Sequence, residues 1–110
     1  MTTLQLLLAL TAALNLNTAQ AGLLDRLFGP DNYWECLLDE MPGTLTYGGS
    51  MEKLTQCKKR FPDPTRYRLG KGLLGPKSFQ GCMARYMKTT KDPLARHSIQ
   101  NACFRLFPPN

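Results

Sequence analysis

The residues of this chain best placed to do chemistry are its four cysteines, Cys36, Cys57, Cys82 and Cys103. Thiols can ligate a metal, cycle between thiol and disulfide, or staple a fold, and their spacing tells these apart. Structural zinc sites use close pairs such as Cys-x2-Cys, and thioredoxin-like redox sites need Cys-x-x-Cys; neither occurs here. Cys36 to Cys57 is 21 positions (57 less 36), and Cys82 to Cys103 is again 21 (103 less 82). Wide, equal spacing and an even count fit two structural disulfides.

Other reactive side chains make poorer candidates. His97 is the one histidine, and a lone helical histidine without an orienting partner is weak evidence for a general base. Asp39 and Glu40 are adjacent carboxylates, and neighbours on a helix point to different sides, which does not suit paired acid–base work. Gly48-Gly49 lacks the strand, lysine and helix context of a phosphate loop. The expectation is a protein that is not an enzyme, with no catalytic residue, no metal and no cofactor.

The compartment follows from the first residues. Leu4 to Leu16 is an apolar run interrupted by Gln5, Thr11 and Asn15, too short to span a bilayer, and it leads to Ala19-Gln20-Ala21. That small-x-small pattern marks residues 1–21 as a cleaved signal peptide, although no Lys or Arg precedes the apolar run. An exported chain with four cysteines belongs in an oxidising compartment, periplasmic or secreted.

The elements that hold the cysteines are written twice. A shift of 46 positions (82 less 36) superposes more than the cysteines. Leu27, Gly29 and Pro30 fall on Leu73, Gly75 and Pro76; Tyr33 on Phe79; Met41 on Met87; and Phe61-Pro62 on Phe107-Pro108. Each copy reads as two helices. Asn32 and Ser78 are equivalent N-caps, Asn32 with Glu35 at N3 in a capping-box arrangement. Tyr33, Leu37 and Met41 recur at i, i+4 and i+8, as do Phe79, Met83 and Met87. Pro42-Gly43 stops the first helix of copy one, whereas Lys88-Thr89 offers no such stop in copy two. Ser50 is placed to cap the second helix of copy one; Asp92, followed by Pro93 at N1, caps that of copy two. Leu54, Cys57 and Phe61 share a face, as do Ile99, Cys103 and Leu106 or Phe107, and Phe-Pro ends both helices.

This reading places the first cysteine of each copy in the first turn of its first helix and the second in the last turn of its second. Those turns are neighbours in an antiparallel hairpin. Of the three possible pairings, Cys36–Cys57 with Cys82–Cys103 is therefore favoured. Each bond would contribute roughly 3 kcal/mol by the chain-entropy account, which matters for a unit of about 35 residues, below the size that usually folds unaided.

The predicted fold is all-α: two disulfide-clamped antiparallel helical hairpins in tandem, residues 22–62 and 73–110, joined by a Pro-, Gly- and base-rich linker, 63–72. The hairpins could sit as two beads, but the total length favours packing into a small four-helix domain. The mature N-terminus puts Leu23, Leu24, Leu27 and Phe28 on one helical face, which fits docking on the hairpins and, less strongly, a peripheral membrane contact.

Charge is divided unevenly. Residues 22–52 carry six acids against one base (net −5) and residues 53–110 thirteen bases against two acids (net +11), together the chain's +6. The densest basic stretch, Lys58, Lys59, Arg60, Arg66, Arg68 and Lys71, is the candidate site for an anionic partner, either an envelope component or an acidic protein. A solvated, solubilising surface is the plainer reading of the same run. Tyr67 between Arg66 and Arg68 resembles a stacking platform for a single strand, but one aromatic and an exported location disfavour nucleic acid.

The string Phe28-Gly29-Pro30-x-x-Tyr33-x-x-Cys36-Leu37-Leu38-x-x-Met41-Pro42-Gly43, with a second Cys and Phe61-Pro62, resembles small exported bacterial proteins of uncharacterised role. These carry a signal peptide and one such two-cysteine unit. Copy two matches in part, since Lys88-Thr89 replaces Pro-Gly. The resemblance implies a bacterial source and a periplasmic or secreted location, and it carries over no activity. The functional expectation is a non-enzymatic binding module of the bacterial envelope, with a periplasmic inhibitor or immunity protein against a secreted enzyme or toxin as the alternative. The oligomeric state is left open.

Overall fold

The structure, a computed structural model, describes residues 29–70 and 75–109. The signal-peptide reading, the apolar face of residues 23–28 and Lys71 lie outside the described residues. Four helices and no strand make up the described fold: α1 (Tyr33–Glu40), α2 (Tyr47–Arg60), α3 (Phe79–Met87) and α4 (Pro93–Leu106). The bounds of α2 and α4 differ by the repeat offset at both ends, so the unit read in the sequence is a unit of structure.

Side-chain oxygens begin every helix. Asn32 accepts from the Glu35 N–H at 2.9 Å, and Glu35 turns back to accept from the Asp31 N–H and the Asn32 amide. Ser78 accepts from Gly81 and Asp92 from Ala95, with Pro93 opening α4. The cap of α2 corrects the sequence reading: Thr46, not Ser50, accepts from the Gly49 N–H at 3.1 Å. Ser50 lies inside α2, buried, and donates its hydroxyl to the Asp92 carboxylate at 2.6 Å. A cap needs extended backbone at its own position. Thr46 has it (φ −129°, ψ 152°), whereas Ser50 sits in the helix and returns its N–H to the Thr46 carbonyl.

The first helix of each copy ends differently. α1 stops where Gly43 adopts φ +82°, a left-handed turn that suits glycine. α3 has no glycine there, and among the described residues no non-glycine has positive φ. Its last carbonyls are met by the Thr90 N–H, which donates to the Met87 carbonyl at 3.1 Å, and by side chains. The Thr90 hydroxyl donates to the Tyr86 carbonyl, and Arg96 reaches from α4 to the carbonyls of Thr90 (2.9 Å) and Met87 (3.3 Å).

Cys36–Cys57 and Cys82–Cys103 are the two disulfides, with Cα atoms 5.8 and 5.7 Å apart, and they clamp each hairpin within its own copy. All four cysteines are fully buried. Around them the hairpins pack as one domain. α1 packs on α2 and α4; α4 packs on α1 and α3 and also touches α2. The core is Leu37, Leu38 and Met41 from copy one against Ala95, Ile99, Ala102 and Leu106 from copy two. α1 and α4 are therefore the central pair, and each disulfide ties a peripheral helix to a central one. Two disulfides of this kind mark an oxidising environment.

Candidate functional site

The basic run begins at the end of α2. Lys58, Lys59 and Arg60 form its last turn, all exposed, while its first turn carries no acid. Three cations at a helix C-terminus complement the partial negative charge of the free carbonyls, so their placement also stabilises α2. The Arg60 guanidinium lies over the Phe61 ring, 5.4 Å from its centroid. Lys58 and Lys59 extend into solvent.

The chain then turns sharply. The Asp63 carboxylate accepts from the Thr65 hydroxyl and the Thr65 N–H (3.0 Å), and the Arg66 N–H donates to the Asp63 carbonyl at 3.3 Å. Asp at the first position and proline at the second is the sequence such a turn prefers. The Thr65 hydrogen bonds, with help from the nearby Arg66 charge, hold the Asp63 carboxyl below its ordinary titration range.

The linker that carries Arg66 and Arg68 is docked rather than free. The Trp34 indole N–H donates to the Pro64 carbonyl at 2.8 Å, and Tyr67 meets the Trp34 ring edge-on at 6.4 Å between centroids. Arg105, from the end of α4, covers Trp34 at 5.3 Å. Further on, the Gly70 N–H donates to the Leu106 carbonyl at 2.8 Å; a Cβ on Gly70 would collide with the Phe107 ring. Tyr67 is thus half-buried against Trp34, not an open stacking platform.

Arg66 and Arg68 are exposed, and they share with Asp31, Asn32, Glu35, Tyr67 and Leu69 a depression of about 620 Å³. The structure therefore divides the basic run. Lys58, Lys59 and Arg60 form an uninterrupted cationic turn, whereas Arg66 and Arg68 face a depression whose other wall is acidic. Sequence reasoning does not single out Trp34, the residue that ties α1, the linker and α4 together. It is the chain's one tryptophan, and its counterpart in copy two is Gln80, so the mismatch between copies is the available signal.

A second depression, about 370 Å³, opens between Glu35, Leu38 and Asp39 of α1, Arg85 and Tyr86 of α3, and Leu106 and Phe107. Asp39 and Arg85 are equivalent positions of opposite charge in the two copies. His97 is exposed on α4 with Asn101 as its neighbour at 3.2 Å. Among the described residues no three His, Cys, Asp or Glu side chains gather as a metal site would need, and no helix is long and apolar enough to cross a membrane.

No protein-family model matches the chain, and no curated protein or solved structure matches it either.

Proposed function

We propose that this chain is a non-enzymatic, exported binding module of the bacterial envelope that meets an anionic partner through the basic turn at the end of α2. The observation that carries this reading is the comparison of equivalent positions. Lys58, Lys59 and Arg60 correspond to Phe104, Arg105 and Leu106. In copy two, Leu106 is core and Arg105 stacks on Trp34. In copy one the same three positions are cationic and exposed, which the hairpin itself does not require. The run Leu4–Leu16 with Ala19-Gln20-Ala21, together with two buried disulfides, supports export to a periplasmic or extracellular location.

Retention on phosphocellulose tests the reading. The disulfide-intact chain should elute at a salt concentration that falls clearly for a Lys58→Glu/Lys59→Glu/Arg60→Glu variant, because screened contacts to phosphate weaken as charges are reversed. Elution at an unchanged salt concentration would remove the basic turn as the binding surface.

A further inference from the structure

The two hairpin tips lie side by side at one end of the molecule. The Gly43 N–H donates to the Thr90 hydroxyl at 3.0 Å, the Asp92 N–H to the Thr44 carbonyl at 3.2 Å, and Ser50 to the Asp92 carboxylate. Thr44, Thr90, Ser50 and Asp92 are all buried in this junction.

The outer surface of the junction divides by chemistry. On the copy-one side Leu45, Tyr47 and Met51 are 68, 65 and 42 % exposed. Tyr47 and Met51 stand four apart on α2 and share a face. Gly48 beside them has nothing within 4 Å of where a Cβ would sit, so no neighbour covers the surface there. On the copy-two side the counterparts of these three are Lys91, Pro93 and His97. Folding the hairpin therefore does not call for an apolar side chain at the Leu45 and Met51 places, and copy one uses none of the three in its core.

Lys88 and Lys91 are exposed on the adjoining tip. Lys91 directly precedes Asp92, whose N–H is bonded to Thr44, which places it beside Leu45. Lys53 nearby is engaged with the Thr44 hydroxyl at 2.7 Å. Of the carboxylates close by, Asp92 is occupied by Ser50 and the Ala95 N–H, Glu40 ends α1 half-buried three residues before Gly43, and Glu52 follows Met51 about 100° further round α2.

Exposed leucine, tyrosine and methionine next to exposed lysines form a surface suited to a boundary that is apolar below and anionic above. We infer that this end of the molecule docks on the surface of an anionic phospholipid bilayer. Leu45, Tyr47 and Met51 enter the headgroup boundary, and Lys88 and Lys91 meet lipid phosphates. Charge decides for lipid over a second copy of the chain, because a two-fold pairing through this end would bring the lysines of both copies together. The surface uses none of the residues of the basic α2 turn, so the two proposals fail separately.

The test is co-sedimentation of residues 22–110, both disulfides intact, with vesicles of phosphatidylglycerol in phosphatidylcholine and with vesicles of phosphatidylcholine alone. Binding should need the anionic lipid. Leu45→Ser/Tyr47→Ser should weaken it about tenfold or more, the factor for one leucine-sized side chain left in water. Lys88→Ala and Lys91→Ala should each weaken it about fivefold. The Leu45→Ser/Tyr47→Ser variant changes no charge, so its elution from phosphocellulose should stay at the parent's salt concentration, which also reports that it is folded. Vesicle binding that is absent, or that this variant leaves intact, overturns the inference. So does a concentration-dependent dimer that the same variant abolishes, which would give the surface to a second copy.

Discussion

Helices α2 and α4 are the same element written twice and used in two ways. Each has 14 residues, each is opened by a side-chain oxygen, and each holds the second cysteine of its unit. α4 buries Ala95, Ser98, Ile99, Ala102, Cys103 and Leu106, whereas α2 buries Ser50 and Cys57. At the positions of α2 equivalent to the α4 core stand Gly49, Glu52, Lys53, Gln56, Cys57 and Arg60. The shared cysteine faces the partner helix in both. The other five decide whether a helix is covered on one side or two. Positions that the copies share thus specify a hairpin, and positions that differ specify how two hairpins dock.

The largest expected effect sets Ile99 against its counterpart Lys53. Ile99 is fully buried on the central helix α4, which packs on α1 and α3. Ile99→Ala should cost about 2–5 kcal/mol, the lost transfer free energy plus the cavity left behind. Lys53→Ala removes one hydrogen bond to Thr44 from a half-exposed position and should cost about 1 kcal/mol or less. Urea unfolding of the two variants with disulfides intact reads the difference. Equal losses would mean that α4 is no more central than α2.

Much of this arrangement is legible in the sequence. Equal cysteine spacing and the signposts of an antiparallel hairpin are enough for the within-copy disulfides, because a helix start and the next helix's end must meet. The caps Asn32, Ser78 and Asp92 can be read because their chemistry is local. Thr46 is harder to see, although the offset points to it as the counterpart of Asp92, because Ser50 is an equally good cap by residue type. The docking of the linker is beyond reach for a physical reason. Trp34 bonds to a backbone carbonyl thirty positions away, and any residue offers a carbonyl. The charge run is plain in the sequence, but its division is not: Arg66 and Arg68 come to face Asp31 and Glu35 only because Trp34, Tyr67 and Gly70 fix the path of the linker.

The helix starts offer a narrower version of the same comparison. Thr46 and Asp92 are equivalent caps, but only Asp92 also accepts from a buried residue of the other copy, Ser50. Thr46→Ala should cost about 1 kcal/mol, the usual loss for a cap. Asp92→Ala should cost that and, in addition, about 1–3 kcal/mol for a buried hydroxyl left without its acceptor. The sharper measurement is the double variant Ser50→Ala/Asp92→Ala. Its loss should be smaller than the sum of the single losses, since the second change removes an already orphaned group. Strict additivity would show that the hydrogen bond across the tips contributes nothing.

The smallest effect is expected where the two units leave their second helices. After Phe61-Pro62 the chain continues through Asp63 into the linker; after Phe107-Pro108 the equivalent position is Pro109. Asp63 makes the first of these exits a defined turn, and its carboxyl is held below the ordinary range chiefly by the Thr65 hydroxyl, then by the Thr65 N–H, and least by Arg66. A carboxyl that gives up its proton more readily in the folded chain than in the unfolded one supports the turn when it is ionised. That support is complete above the unfolded titration range and is lost as the pH falls through the lower, folded one. Because Asp63 is fully exposed, solvent screens most of the interaction, and the observable is the titration itself rather than global stability. Carboxyl-carbon NMR across the acid range should place the Asp63 midpoint below that of an ordinary aspartate. Thr65→Ala, which removes the hydroxyl and keeps the backbone N–H bond, should return it part of the way, and Arg66→Ala less. A larger return with Arg66→Ala would make the turn an ion pair rather than a hydrogen-bonded one. The linker's first bend would then depend on salt, whereas a turn held by Thr65 keeps its shape as ionic strength rises.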